Sequence, residues 1–377
     1  MRRGVFFVAV LAVLLCPAVA HAGRGMFVGI DDNTLKWMHR PNGIVGVDHQ
    51  LGVDTTRITI PWRRGETRPR PVAQVYLNRA ARAIVLGQRI VLAIYGHASA
   101  APTERRWRLQ YCSDVRHILA RIPQIAGVVI WNEANSPRYW PQRAGAPAYE
   151  KLLATCWDML HGLRHPVNVI DSTASHYDPA AFIARLGTAY RDSGRTRPIT
   201  DTFGHNPYPE TAAEQPWVTH TNGSIGEGDY ETLVRAITEA FLFTGQPVPT
   251  ASKPILWYLE DGFQTSVPAS LRHLYSGKET DRSVIPATAT SAPNQAAQLR
   301  SAVEVAYCQP AVGAFFNFEL IDEHRLAGWQ SGLLYTNGTP KPSFAAFQQV
   351  VSDVADHTID CANVKGAPPQ GLEPIGP

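Results

Sequence analysis

Two glutamates stand at the ends of apolar runs that resemble each other. The first run is Gly127-Val-Val-Ile-Trp-Asn-Glu-Ala-Asn135, which carries Glu133, and the second is Pro254-Ile-Leu-Trp-Tyr-Leu-Glu-Asp-Gly262, which carries Glu260. Apolar and β-branched residues in short runs are typical of buried parallel strands. Both carboxyl groups are therefore expected where a strand opens into a loop.

Two carboxyl groups at strand ends can cleave a glycosidic bond if one is protonated and the other ionised. The acid protonates the leaving oxygen, and in a retaining enzyme the carboxylate attacks the anomeric carbon. Either glutamate alone is as well explained as an ordinary salt-bridge partner. The matching settings of Glu133 and Glu260 favour the catalytic interpretation for the pair.

Further strand-like runs place these two glutamates in a larger pattern. Apolar runs alternate with amphipathic segments along the chain, which favours a (β/α)8 TIM barrel of the α/β class over a doubly wound sheet. The predicted strands are 26–31, 55–62, 89–95, 126–131, 167–171, 199–203, the run that carries Glu260, and 311–318. The predicted helices are 44–51, 71–86, 103–122, 149–163, 180–190, 228–244, 294–307 and 341–355.

The first 22 residues have the pattern of a secretory signal peptide. Arg2 and Arg3 precede an apolar run over 5–15, and Ala20-His-Ala22 is typical of a cleavage site. We therefore expect a secreted, extracellular protein without a membrane anchor. The rest is expected to form a single barrel domain over 23–362, followed by a flexible Pro/Gly-rich tail over 363–377.

Composition narrows the possible partners. A net charge of +3 with scattered basic residues gives no indication of nucleic-acid binding, which needs a clustered basic face. The sequence has no cysteine and histidine spacing typical of zinc, so we expect no metal and no cofactor. The sequence does not indicate an oligomeric state.

Four cysteines remain after the expected cleavage, and an even number in an exported chain predicts two disulfides. Three pairings are possible. We favour Cys112 with Cys156 and Cys308 with Cys361, because the helices carrying each pair would be neighbours in a barrel.

Over roughly residues 26–355 the chain resembles glycoside hydrolase clan A, the retaining barrel glycosidases that include families 5 and 39. The motif Trp131-Asn132-Glu133 is similar to the clan's acid/base segment on the fourth strand, and Glu260 to the nucleophile on the seventh. Other matching positions are Arg57 on the second strand, His205 and Tyr208 in the sixth-strand His-x-x-Tyr element, and Trp329 with Lys341-Pro342 in the closing segment. The chain departs from the clan at Ala134, where many members have Pro, and in Phe316-Asn317-Phe318, where members often place a Trp.

The resemblance implies a role for each matching residue. Glu133 would be the acid/base and Glu260 the nucleophile. Arg57 would hold Glu260 ionised and Tyr208 would donate a hydrogen bond to it, while Asn132 would bind the sugar 2-hydroxyl. His205 and, after the third strand, His97 would line the pocket, and Trp329 would be the preferred platform for a sugar ring, ahead of Trp62, Trp131 and Trp257.

Two further expectations concern other side chains and other functions. Asp31, Asp32, Asp261 and Asp322 are expected to be mostly solvated loop carboxylates. A non-catalytic carbohydrate-binding barrel is one alternative to a hydrolase, but it would usually lose one of the two carboxyl groups, and both are present here. A transglycosidase is the other, and it would use the same residues. A metal-dependent hydrolase is disfavoured, since no His-x-His segment follows the first strand. The sugar, its linkage and the mode of cleavage stay open.

Overall fold

The computed structural model describes residues 25–37, 41–66, 69–278 and 288–368. The expected signal peptide at 1–22 lies outside the described residues, as does the expected tail from 369 onward. No helix among the described residues is long and apolar enough to cross a membrane.

In the described part of the chain there are nine parallel strand segments, and helices separate all of them except β5 and β6. The strands are β1 Phe27–Asp31, β2 Thr55–Pro61, β3 Arg89–Tyr95, β4 Gly127–Ile130, β5 Asn168–Ile170, β6 Thr173–Ala174, β7 Phe203–Asn206, β8 Leu256–Asp261 and β9 Val312–Phe318. The helices are α1 Thr34–Trp37, α2 Pro41–Gln50, α3 Pro71–Val85, α4 Arg105–Arg121, α5 Gly145–His161, α6 Pro179–Asp192, α7 Tyr230–Phe241, α8 Ala292–Tyr307 and α9 Pro342–Ala355.

The strand order shows how the sheet curls into a barrel. The order runs β5-β4-β3-β2-β1-β9-β8-β7-β6, so β1 pairs with both β2 and β9. The two outermost segments, β5 and β6, are separated by only two residues along the chain and together occupy the fifth strand position. A bridge between Ile170 and Thr202 adds to the contact at this position. The predicted (β/α)8 barrel is confirmed.

The sixth strand position differs from its prediction over 199–203, because β7 begins only at Phe203. The amides of Ile199 and Thr200 donate to the side chain of Gln246 at 2.8 and 3.2 Å, so they do not bond to a neighbouring strand. At its other end, β7 extends through Asn206, so His205 lies within the strand.

Two apolar layers hold the barrel together. A large core fills the space between strands and helices, and a smaller one fills the barrel interior. The interior layer consists of Val91, Ala93, Val129, Ile170, Leu259, Ala314 and Phe316. Because this layer closes the barrel below, polar side chains from the strand ends meet only at the open mouth.

Two disulfides are present, and the favoured pairing is confirmed. Cys112 on α4 bonds to Cys156 on α5, with a Cα–Cα distance of 4.8 Å. Cys308, directly after α8, bonds to Cys361 at 5.4 Å. Cys361 lies beyond the end of α9, so the second disulfide anchors the segment that follows the last helix and does not join two helices.

Candidate active site

The mouth of the barrel brings together side chains from five strand positions. Asp31 ends β1, Arg57 lies in β2, Glu133 follows β4, Asn206 ends β7 and Glu260 lies near the end of β8. These are the carboxyl ends of the strands, where barrel enzymes carry their reacting groups. Both glutamates predicted from the sequence thus face the same opening.

The chain turns sharply after β4, and this turn presents Glu133. Trp131 and Glu133 have positive φ angles of 67° and 41°, in a region that is costly for residues other than glycine. Trp131 is fixed there: its backbone N–H donates to the Tyr111 hydroxyl at 3.1 Å, and its indole N–H donates to the Tyr139 carbonyl at 2.7 Å. The turn is therefore held from behind by buried aromatic side chains.

The buried position of Trp131 excludes it as a platform for sugars. Its ring meets Trp62 and Trp140 edge-on, with centroids 6.0 and 6.2 Å away. Trp62 is also buried, and its indole N–H donates to Asp114 at 2.9 Å. Both tryptophans belong to the core that supports the turn after β4.

Glu260 is held by one cation and one hydroxyl. Arg57 Nη1 lies 2.8 Å from Glu260 Oε1, and the Tyr208 hydroxyl donates to Glu260 Oε2 at 3.2 Å. The guanidinium is fully buried, so its charge acts on Glu260 with little screening by water. Each carboxyl oxygen of Glu260 thus has its own partner, Arg57 at Oε1 and Tyr208 at Oε2.

Glu133 has different surroundings, which favour the protonated acid. Burial, together with the nearby charge of Glu260, raises the pKa of Glu133 to about 7. Asn206 Nδ2 donates to Glu133 Oε1 at 2.9 Å and opposes part of that rise. The backbone N–H of Glu133 donates to Ser172 Oγ at 3.1 Å. The two glutamates thus differ in their environments as an acid and a carboxylate must.

Asn206 is a site residue that was not predicted from the sequence. Asn206 directly follows His205 in the His-Asn-Pro-Tyr element, which drew attention only to His205 and Tyr208. The signal was weak, because the predicted strand ended three residues too early. Once β7 extends to Asn206, this side chain stands at the strand end beside the mouth.

Arg57 is the hub of the buried network. It contacts Asp31 and Glu260 through Nη1 and donates to Asn132 Oδ1 through Nη2 at 3.1 Å. Burial alone would lower the pKa of Arg57, but the two carboxylates outweigh burial and raise it. Burial raises the pKa of Asp31 to about 8, with the charge of Glu260 adding to the rise and Arg57 opposing it. When Asp31 is protonated it is neutral, and the positive charge of Arg57 then acts mainly on Glu260.

The expectation of solvated aspartates was wrong. Asp31, Asp32, Asp261 and Asp322 are all buried. The first three lie at or next to strand ends, and each has protein contacts at one carboxyl oxygen, although Asp31 Oδ1 and Asp32 Oδ2 have no hydrogen-bond partner among the described residues. Thr34 Oγ1 donates to Asp32 at 2.6 Å, for example, and Lys341 Nζ lies 2.6 Å from Asp322.

The two predicted pocket histidines occupy different settings. His205 is buried, with Nδ1 2.9 Å from Thr173 Oγ1 and Nε2 2.9 Å from the Ile225 carbonyl. Burial lowers the pKa of His205 to about 4, so the ring is neutral. Both nitrogens face protein atoms, and His205 therefore braces the strand that carries Asn206. His97 is exposed at the start of the turn after β3, outside the buried network.

Trp329 lies at the rim of the mouth, next to the residues that hold Glu260. Its ring stacks on Tyr208 with centroids 5.0 Å apart and planes inclined by 26°. Phe318 meets both rings edge-on, at 5.2 Å from Trp329 and 6.1 Å from Tyr208. Trp329 is partly exposed, so one aromatic surface faces the opening.

One group with potential metal ligands lies outside the mouth. Among the described residues, Glu210, Glu214 and His220 offer ligand atoms within 4.8 Å of one another. His220 already bridges two carboxylates, with Nδ1 2.6 Å from Asp229 and Nε2 3.1 Å from Glu214. Burial alone would lower the pKa of His220, but these carboxylates outweigh burial and raise it. The group is thus satisfied as an ion-pair network around an imidazolium.

Comparison with protein-family models and with curated proteins finds no match. Solved structures do match. A family 39 glycoside hydrolase from Bacteroides cellulosilyticus WH2 superposes with a TM-score of 0.57 at 14% identity, over 88% of this chain and 64% of that one. A fungal β-1,4-galactanase gives 0.59 at 14% identity, over 86% and 99% of the two chains. GH5_18 from Streptomyces cattleya, solved with GlcNAc, gives 0.59 at 15% identity, over 89% and 81%. The chain therefore shares the (β/α)8 barrel fold of glycoside hydrolases of families 5 and 39.

Proposed function

We propose that this protein is an exported glycoside hydrolase that cleaves O-glycosidic bonds with retention of anomeric configuration. The observation that carries the proposal is the contrast between the two glutamates. Glu260 is paired with Arg57 and Tyr208, whereas burial raises the pKa of Glu133 beside it. One ionised and one protonated carboxyl group at a single opening is the arrangement that a double displacement needs.

In the first step, a carboxylate oxygen of Glu260 attacks the anomeric carbon and forms an ester bond. The bond from that carbon to the leaving oxygen breaks, and the proton of Glu133 passes to the leaving oxygen. Arg57 and Tyr208 keep Glu260 ionised and aligned before the attack. Asn132 is held by Arg57 Nη2, which leaves its Nδ2 as a donor for a sugar hydroxyl.

In the second step, Glu133 changes from acid to base. Esterification removes the charge of Glu260, which is one of the causes that raise the pKa of Glu133. The pKa of Glu133 then falls, and its carboxylate takes a proton from water. The water oxygen attacks the anomeric carbon, and the ester bond breaks to restore Glu260 as a carboxylate.

The substrate in this proposal is a polysaccharide, an oligosaccharide or a glycoside. The partly exposed Trp329, supported by Tyr208 stacked on it, suits the apolar face of a sugar ring, because an indole offers a large apolar surface. Export fits a chain with two disulfides, since disulfides persist in oxidising compartments. The chemistry uses only side chains of this chain and calls for no cofactor.

Trapping with activated 2-fluoro glycosides of several sugars, read by intact mass and peptide mapping, tests the proposal. We expect one covalent adduct on Glu260 in the wild type and none in Glu260→Gln. Glu133→Gln should slow cleavage of substrates with poor leaving groups by about 10²- to 10⁴-fold, yet much less with activated aryl leaving groups. Glu239→Gln, on the exposed face of α7, is the matched control.

The outcomes separate the candidate functions. An adduct on another carboxylate would reject the assignment of Glu260 while keeping a retaining mechanism. An adduct on Glu260 that is released faster by an added sugar acceptor than by water would indicate a transglycosidase. Glycan binding without any adduct or turnover across the panel would indicate a non-catalytic carbohydrate-binding barrel.

A further inference from the structure

A small cavity of about 10 Å³ lies beside the mouth, between the end of β8 and the segment 207–227. Three carboxyl side chains contribute to its wall: Glu214, Glu227 and Asp261. Its volume matches a single water-sized occupant. None of the groups given a catalytic role above lines this cavity.

The strand geometry explains why the cavity is separate from the mouth. Successive side chains of a strand point to opposite faces. Glu260 contacts Arg57 in the mouth, whereas Asp261, the next residue, lines the cavity beside the segment 207–227. The same short stretch of β8 therefore supplies one carboxyl group to the mouth and the next one to the cavity.

Glu227 has no protein partner that accounts for its burial. Its exposure is 2%, and neither carboxyl oxygen has a hydrogen-bond donor among the described residues. Asp261, also buried, accepts a hydrogen bond at Oδ1 from the backbone N–H of Gly262 at 2.8 Å. Burial of a carboxylate without a partner is costly, and a second carboxylate nearby adds to the cost.

The wall of the cavity supplies acceptors and few donors. Of the described residues, no Lys, Arg or His lines it. Pro207, Pro209 and Pro216 are part of the wall, and proline has no backbone N–H to donate. Burial raises the pKa of both Glu227 and Asp261, so the two groups can be ionised together only with a positive charge beside them.

We propose that this cavity is a structural Ca²⁺ site, in which Glu227 and Asp261 bind the ion and Glu214 closes the wall. Glu227 and Asp261 offer carboxylate oxygens, which are ligands that hard cations prefer, whereas Glu214 Oε1 is already paired with His220. Zn²⁺ is disfavoured because no imidazole or thiolate lines the cavity. Ca²⁺ suits irregular carboxylate geometry better than Mg²⁺, which demands a near-ideal octahedron.

The site joins two elements that also shape the mouth. Glu214 and Glu227 belong to the stretch that begins with Tyr208, and Asp261 follows Glu260 on β8. An ion bound between them fastens this stretch to β8 from the outer side. The hydrogen bond from Tyr208 to Glu260 is then supported by a contact that takes no part in the proposed chemistry.

Calcium binding to the metal-free wild-type protein tests the proposal directly. We expect a stoichiometry of one by titration calorimetry, and retention of one Ca²⁺ after gel filtration by elemental analysis. At a Ca²⁺ concentration of about 100 Kd, Tm should rise by about 5 °C. The rise should be smaller near pH 5 than near pH 8, since protons compete with the ion for the carboxylates. Mg²⁺ at the same concentration should give a smaller rise.

Glu227→Gln and Asp261→Asn should each abolish the calcium response, whereas Glu239→Gln on the exposed face of α7 should keep it. The competing account is a proton shared between Glu227 and Asp261. In that case Ca²⁺ binds to none of the proteins, and wild-type stability falls as the pH rises whether or not Ca²⁺ is present. That result, or an undiminished response in both variants, would overturn the proposal. The wild-type titration decides even if a variant fails to fold.

Discussion

Asn206 donates a hydrogen bond to Glu133 across the mouth of the barrel, with Nδ2 2.9 Å from Oε1. The two residues stand at the ends of the sixth and fourth strand positions, 73 residues apart in sequence. A donor to a carboxylate stabilises its charged form, so Asn206 lowers the pKa of Glu133 against the rise caused by burial and by Glu260. This contact helps to set the pH range in which Glu133 is an acid.

Replacing Asn206 should therefore move the alkaline limb of the pH profile. In the free wild-type enzyme kcat/KM should fall as the pH rises through the pKa of Glu133, about 7, because the acid loses its proton. Asn206→Ala removes the donor, raises that pKa and shifts the limb to higher pH. Profiles with one chromogenic glycoside measure the shift, and thermal melts control for folding. An unmoved limb would show that another group provides the acid.

Tyr208→Phe separates the hydroxyl from the ring. A hydrogen bond to a charged group contributes about 1.5–3 kcal/mol, so we expect kcat/KM to fall about 10- to 100-fold. The phenyl ring still stacks on Trp329, and KM should change little. Tyr208→Ala loses both contacts and should raise KM as well. If Tyr208→Phe has wild-type kinetics and only Tyr208→Ala is impaired, the hydroxyl does not contribute to catalysis and only the ring does.

Substitution of Asp31 tests how the contact between Asp31 and Arg57 affects the pairing of Arg57 with Glu260. Burial raises the pKa of Asp31 to about 8, so a neutral amide in its place is a close substitute. Asp31→Asn should keep kcat within about 10-fold of wild type, since its amide oxygen still accepts from Arg57. Asp31→Ala leaves a buried guanidinium N–H without an acceptor, at a cost of about 1–3 kcal/mol, and should lower Tm by several degrees.

Asp31 also predicts a pH dependence of stability. Its pKa in the folded protein lies above the value of about 3.9 for an unfolded chain, so the folded state binds more protons between these two values. The contribution of Asp31 to stability is complete below the unfolded pKa and is lost as the pH rises through about 8. Asp31→Asn should therefore gain stability relative to wild type as the pH increases, as measured by urea unfolding. A constant difference would contradict the raised pKa.

The disulfide between Cys112 and Cys156 closes a loop with a sequence separation of 44 residues. In the chain-entropy account, such a crosslink stabilises the fold by about 4 kcal/mol. The double substitution of both cysteines by Ala should lower Tm by several degrees while leaving kcat nearly unchanged, because the bond joins α4 and α5 on the outside of the barrel. Loss of activity at temperatures well below Tm would contradict a purely structural role.

The barrel and the two glutamates could be predicted from the sequence because both are local signals. Strand-forming runs and helical periodicity can be recognised within stretches of about 5 to 18 consecutive residues. The fold then brings the carboxyl ends of all strands to one mouth. Knowing that Glu133 and Glu260 each stand at the end of a strand was therefore enough to predict that they meet there. The pairing of Cys112 with Cys156 followed from the same order, since the consecutive helices α4 and α5 are neighbours in the barrel, whereas Cys361 lies beyond the last helix.

Only the tertiary structure decided what surrounds those two glutamates. Asn206 reaches Glu133 because β7 extends further than its apolar pattern suggests, and Asp31 shares Arg57 because β1 pairs with β2. Burial of Asp31, Asp32, Asp261 and Asp322 depends on which loops fold over each strand end. Desolvation and charge act over a few ångströms in space, whereas Arg57 and Glu260, which are in contact, lie 203 positions apart in the sequence.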